Sequence, residues 1–115
     1  MKVHSALGPG FLESVYQNAL IWELRKGGFK AEAERPISVQ YDGQMVDAFT
    51  ADVFVNDSLI VELKASQSPA KPHEVQLVNY LVATQIDEGL LVNLGAQRLE
   101  YKKKFRLPKK EQASF

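Results

Sequence analysis

Two turn signals, Asp42-Gly43 and Asn56-Asp57, commit the middle of this 115-residue chain to a meander of strands. Both pairs suit two-residue hairpins, because their residues tolerate the positive φ that such turns require. Ile37, Val39 and Tyr41 alternate before the first turn, a run from about Gln44 to Val55 joins the two, and Ser58 to Ala65 follows the second. Three antiparallel strands in succession are predicted. The middle run is long for one strand, so a bulge or bend is expected near Asp47 to Thr50, and a slip there would change the face that Asp52 uses.

The third strand contains Leu59-Ile60-Val61-Glu62-Leu63-Lys64. With a period of two, Glu62 and Lys64 share one face while Leu59, Val61 and Leu63 take the other. Burying a carboxylate and an ammonium costs several kcal/mol unless they are paired or bound to metal. Charges on adjacent strands usually form cross-strand pairs. With Asp52 on the neighbouring strand, a metal site is the competing explanation.

Around this meander the chain carries two helical patterns. Phe11 to Lys26 places Leu12, Val15, Tyr16, Ala19, Leu20 and Leu24 at spacings of three and four, after a break at Gly8-Pro9-Gly10 and before a stop at Gly27-Gly28. Glu13 falls in the first turn, where the helix dipole favours an acid. A polar loop from Ala65 to Lys71 leads to Pro72 and a second helix ending near Thr84, with Leu77, Val78, Leu81 and Val82 as its apolar stripe and His73, Gln76 and Tyr80 on another side. Gly89 to Leu94 reads as a central strand, Leu99 to Leu107 as a more exposed one, and residues 108–115 as a frayed tail. The order αβββαββ predicts an α/β fold over residues 1–115: one domain, a mixed sheet of about five strands flanked by two helices.

Composition narrows the chemistry. No stretch approaches the roughly 18 apolar residues of a membrane span, and Lys2 and His4 lead into Leu7-Gly8-Pro9-Gly10 rather than a signal peptide. The chain has no cysteine, which fits a reducing cytoplasm and leaves oxygen or histidine to hold any metal. Lysines and arginines balance acids to a formal net charge of zero, which argues against binding nucleic acid by bulk charge. Their distribution is uneven: half of them lie between Arg98 and Lys110. Lys102, Lys103, Lys104 and Arg106 are either a phosphate-contacting patch or the charged guard of an edge strand.

If the fold brings Glu13 to Asp52 and Glu62, the carboxylates would take up protons or recruit a divalent cation, since two charges about 4 Å apart repel by roughly 4 kcal/mol at an effective dielectric of about 20. Oxygen ligands favour Mg²⁺ or Mn²⁺. Lys64 is then placed to orient a water or stabilise a transition state, the chemistry of phosphodiester hydrolysis.

The run Gly8-Pro9-Gly10-Phe11-Leu12-Glu13-Ser14-Val15-Tyr16, followed by Asp52, by Glu62-Leu63-Lys64 and by Gln76-Leu77-Val78-Asn79-Tyr80, resembles the GxxExxY proteins of the PD-(D/E)XK nuclease superfamily from about His4 to Leu107. The Gln-xxx-Tyr element is similar to one in the RecB-like branch. The resemblance implies a restriction-endonuclease-like core and a Mg²⁺- or Mn²⁺-dependent deoxyribonuclease. Asp52, Glu62 and the Leu63 carbonyl would hold the metal, Glu13 would complete the site, Lys64 would be the catalytic lysine, and Gln76 and Tyr80 would position the lysine, the water or the DNA backbone. Ala51 stands where the superfamily name has proline, and relatives begin with a longer first helix, which would make Met1 a shortened start.

Other residues invite weaker readings. His73 would be solvated or touch a phosphate or metal, and His4 offers still less. Tyr16 reads as core with a satisfied hydroxyl, Trp22 as core or interface, and Asp47 as the alternative acid under a shifted register. DNA is the expected partner, with no small-molecule cofactor and no membrane. A homodimer would supply the two sites that cutting both strands requires. The rival function is a nucleic-acid- or protein-binding module that keeps the nuclease fold without cleavage.

Overall fold

The computed structural model describes residues 2–8, 11–65, 71–95 and 100–106, apart from the side chains of His4, Lys71 and Pro72. The break at Pro9-Gly10, most of the loop from Ala65 to Lys71, the ends of the last strand at Leu99 and Leu107, and the tail 108–115 lie outside the described residues. Helices α1 (Lys2–Leu7) and α2 (Glu13–Lys26) precede β1 (Ala31–Tyr41), β2 (Gln44–Val55) and β3 (Leu59–Lys64); α3 (Lys71–Thr84), β4 (Glu88–Asn93) and β5 (Glu100–Phe105) follow. The five strands form one sheet in sequence order. Only the β3–β4 pair is parallel, as the α3 crossover demands.

Both turns form with left-handed residues, the first across two residues between the paired Tyr41 and Gln44, the second across three, Asn56 to Ser58, between the paired Val55 and Leu59. Asp42 and Gly43 have φ of 54° and 75°, and Asn56 and Asp57 have 52° and 57°, the left-handed pair whose twist matches a hairpin. Gly28, at φ 90°, lets the end of α2 turn back so that the Phe29 amide donates to the Leu24 carbonyl. The Arg25 guanidinium then donates to the Ala31 carbonyl and ties the helix end to β1.

The sheet divides two apolar clusters. Tyr16 and Ile21 of α2 pack with Val3, Ala31, Val53, Val55, Val61, Leu63, Val92 and Leu94. On the other face Leu77 and Leu81 of α3 pack with Phe49, Ala51, Phe54, Ile60 and Leu91. A Cβ at Gly89 would stand 3.0 Å from Leu77 Cδ1, so the bare backbone there lets α3 sit close to β4. The helical stripes are narrower than the sequence suggests. Leu12 just before α2 and Val15 and Trp22 within it are exposed, which removes Trp22 from the core, and Val82 of α3 is exposed too.

Ala51, Val53 and Val55 should share a face, yet Ala51 joins the α3 cluster while Val53 and Val55 join the α2 cluster. The partner strand does the same: Ala31 faces α2, whereas Ile37 and Val39 face α3. The ladder runs from Ala33↔Val53 to Arg35↔Ala51 and skips Glu34 and Asp52, and Glu34 has φ 52°. The alternation therefore inverts at Glu34 and Asp52. A separate register shift lies between Val39 and Gln40, opposite Met45 to Asp47, at the near edge of the stretch where the sequence suggested a bulge. Among the described residues no helix is long and apolar enough to cross a membrane.

Candidate active site

Strand β2 pairs with β3 only over Val53↔Val61, Phe54↔Ile60 and Val55↔Leu59. Beyond Val53 the strands part, and the Asp52 side chain fills the gap: its Oδ2 accepts the Leu63 amide at 2.9 Å. A residue's N–H and C=O point to one side of a strand, so the Leu63 carbonyl also faces Asp52, off the β4 ladder. On the other side the Lys64 carbonyl accepts the Leu94 amide at 2.8 Å.

Glu62 lies beside Asp52. Val61 and Leu63 pack against the α2 side and Ile60 against the α3 side, so Glu62 and Lys64 share the α3 face, as the alternation predicts. The Glu62 carboxyl is pushed up to about 9, first by burial and then by the hydrogen bond and charge of the Asp52 side chain; Lys64 and a backbone hydrogen bond with Asp52 pull the other way. Glu62 Oε1 is buried and has no hydrogen-bond partner among the described residues. A carboxyl pressed out of water against a second one holds a proton or a cation, and a carboxylate oxygen without a donor suits a divalent ion with oxygen ligands.

The other expected residues fall at different distances from this pair. Gln76 donates to the Tyr80 hydroxyl at 3.1 Å, and the Tyr80 ring stacks on Phe49 with centroids 3.9 Å apart, over the face that carries Glu62. Glu13 is exposed at the start of α2, one turn before Gln17. Among the described residues no three acidic or histidine side chains converge as a metal-holding group, so Glu13 is not gathered with Asp52 and Glu62. Tyr16 is fully buried, and its hydroxyl donates to the Gly8 carbonyl at 2.5 Å and accepts the Phe11 amide at 3.2 Å, which anchors the connection leading to Glu13. His73 is half-buried in the first turn of α3. Asp47, the acid expected under a shifted register, is exposed and accepts the Ala48 amide at 2.8 Å.

The β5 cations are largely neutralised. Lys104 pairs with Glu74 of α3 at 2.7 Å, Arg106 with Asp87 at 2.8 Å, and Lys103 approaches Glu88 at 3.9 Å while lying over the Phe105 ring. Lys102 is exposed and makes no ion pair with a described residue.

Two residues at the site went unread in the sequence. Gln17 and Asn93 are the buried polar residues among those described. Gln17 donates to the Asp52 carbonyl at 2.7 Å and to Glu34 Oε1 at 3.1 Å. Asn93 lies in register with Lys64 on β4, and its Oδ1 accepts the Gly95 amide at 3.0 Å. Asn93 could have been found as an amide inside the apolar run Gly89 to Leu94, whereas Gln17 lies off the apolar stripe read for α2 and spacing gave no signal for it.

The family model for the PD-(D/E)XK nuclease superfamily matches residues 1–105. Among solved structures, the crystal structure of SSO0001 is similar with a TM-score of 0.62 and 23% identity over 87% of this chain, a likeness in fold. The match spans 53% of that longer chain. No curated protein matches.

Proposed function

The chain belongs to the PD-(D/E)XK nuclease superfamily, and from that premise we propose that it is a Mg²⁺- or Mn²⁺-dependent nuclease hydrolysing phosphodiester bonds in DNA. The observation that carries this reading is the half-buried Asp52–Glu62 pair, with a Glu62 oxygen that has no hydrogen-bond partner among the described residues, on the face that also bears Lys64. Asp52, Glu62 and the Leu63 carbonyl are the groups that would hold the ion. When bound, a divalent ion supplies Lewis acidity toward a phosphoryl oxygen and lowers the pKa of a water.

The chain's own groups do the rest. Lys64 sets a positive charge beside the reacting phosphate and orients the attacking water. The Gln76–Tyr80 pair, made rigid by the stack on Phe49, lines the same face and positions the lysine or the DNA backbone. Glu13, carried by the helix that Tyr16 anchors, reaches the substrate side once DNA is bound. The three-residue spacing of Glu13 and Tyr16, with the hydroxyl fastened to Gly8 and Phe11, supports a place among the GxxExxY proteins. The single sheet shared by all described strands supports reading residues 1–115 as one domain.

The rival reading, a binding module without cleavage, draws on the separation of Glu13 from Asp52 and Glu62. One assay decides between them: plasmid and single-stranded DNA incubated with Mg²⁺ or Mn²⁺ and wild type, Asp52→Ala or Lys64→Ala. Cleavage by the wild type alone supports the enzyme. DNA retention without cleavage supports the module, and equal cleavage by all three proteins defeats the proposed site.

A further inference from the structure

We propose that Gln17 is a positioning residue for Asp52: its side-chain amide holds open the strand inversion that turns the Asp52 carboxylate toward Glu62. This rests on the nuclease reading for its consequence and on geometry for its premise.

At the inversion the β1–β2 ladder omits Glu34 and Asp52. A backbone carbonyl released from a ladder inside a protein needs another donor. Gln17 provides it, with Nε2 2.7 Å from the Asp52 carbonyl, and the same nitrogen reaches Glu34 Oε1 at 3.1 Å. One amide thus bridges the two residues that the ladder skips. Gln17 is 9% exposed on the face of α2 that packs against the sheet, and it stands one turn from Glu13. An uncharged amide at this place satisfies the carbonyl without adding charge to the carboxylate pair beyond it.

Were the inversion lost, Ala51, Asp52 and Val53 would return to strict alternation, and the strand would reach β3 with a regular ladder. The Leu63 amide would then have no need of Asp52 Oδ2. That hydrogen bond, 2.9 Å long, is therefore a local reporter of whether Asp52 is in place.

The test compares wild type with Gln17→Met, which keeps the volume and loses the donor, and with Gln17→Glu, which keeps the shape and sets an acceptor against the Asp52 carbonyl. Amide hydrogen exchange at Leu63 is measured against Leu91, which lies outside the inversion, and Mn²⁺ binding is measured by titration calorimetry. The expected result is Leu63 exchange accelerated at least about tenfold relative to Leu91 in both variants, with Mn²⁺ affinity about 10- to 100-fold weaker, the usual cost of losing a group that orients a ligand. Equal acceleration at Leu63 and Leu91 with unchanged Mn²⁺ affinity would overturn the proposal and leave Gln17 as packing. If the wild type takes up no Mn²⁺, the nuclease reading fails by itself, and Leu63 exchange still decides the case of Gln17. Should Gln17→Met fail to fold, Gln17→Asn keeps the amide but shortens its reach, and it is read in the same way.

Discussion

The two charged regions of this chain solve opposite problems. At Asp52 and Glu62 two carboxyl groups are pressed together, partly out of water, and one oxygen has no hydrogen-bond partner among the described residues. Along β5 unlike charges meet: Lys104 with Glu74, Arg106 with Asp87, Lys103 with Glu88. The second arrangement is cheap to keep and worth little, since exposed ion pairs contribute about 0–1 kcal/mol each. The first opposes folding until a proton or cation enters it. A fold that retains such a cost has a use for it, which is why the carboxylate pair carries the functional reading and the longer run of lysines does not.

Activity should separate the regions most widely. Lys64→Met is expected to lower the cleavage rate roughly 100-fold or more, the scale set by removing one charge-stabilising group from a reaction centre. Arg106→Met, at the paired end of β5, is expected to stay within about threefold of wild type, the size of an exposed ion pair's contribution. Single-turnover rates on the same DNA would measure both. Comparable losses would erase the distinction.

Stability against pH gives the next effect. The Glu62 carboxyl rests at about 9 in the folded chain against 4.5 ordinarily. The folded state therefore keeps a proton that the unfolded state has released, and stability is fullest below the ordinary value and falls as pH rises toward about 9. Without divalent ions, urea unfolding should show a loss on the order of 3 kcal/mol between about pH 5 and about pH 8. Glu62→Gln should flatten that slope, and so should Mg²⁺, which takes the proton's place. A flat wild-type profile would mean that the pair is not strained.

Local rules explain what the sequence made legible. Turn chemistry placed both hairpins, the period of two put Glu62 and Lys64 opposite Leu63, and helical spacing found Leu77, Leu81 and the Gln76–Tyr80 pair. The fold class follows from those local readings, together with the crossover that makes β3 and β4 parallel. What stayed hidden depends on distant partners. Residues 31–36 alternate only alanine with glutamate and then add an arginine and a proline, residue types with little preference for strands, so the first half of β1 has a weak sequence signature. The inversion at Asp52 is held by a glutamine 35 residues earlier in the chain, which no window of strand periodicity contains. The cationic run misleads for a related reason: its neutralising acids sit on α3 and before or within β4, and only the assembled register brings them close.

That register also grades the β5 lysines. Lys104–Glu74 is the shortest of the three pairs, and both side chains are partly covered. Lys104→Ala should cost about 1 kcal/mol in urea unfolding, whereas Lys103→Ala, whose partner lies 3.9 Å away, should cost less than about 0.5 kcal/mol. A double-mutant cycle with Glu74→Ala would isolate the first value. Equal costs would show that pairing does not differentiate the strip.

The smallest expected effect is on DNA binding, where the same pairing sets which lysine counts. A cation that displaces counterions from DNA lowers the slope of log affinity against log salt by about one when it is removed. A cation already held by a carboxylate must first break that pair, so its net release is small. Lys102, exposed and without an ion pair among the described residues, should therefore account for nearly one unit of slope, and Lys104, held by Glu74, for almost none. Fluorescence anisotropy with Lys102→Ala and Lys104→Ala, titrated over a range of salt in Ca²⁺ to prevent cleavage, measures both slopes. Equal slopes for the two variants would mean that DNA pulls Lys104 away from Glu74, and the β5 strip would then be a binding surface whose ion pairs are exchanged for phosphates.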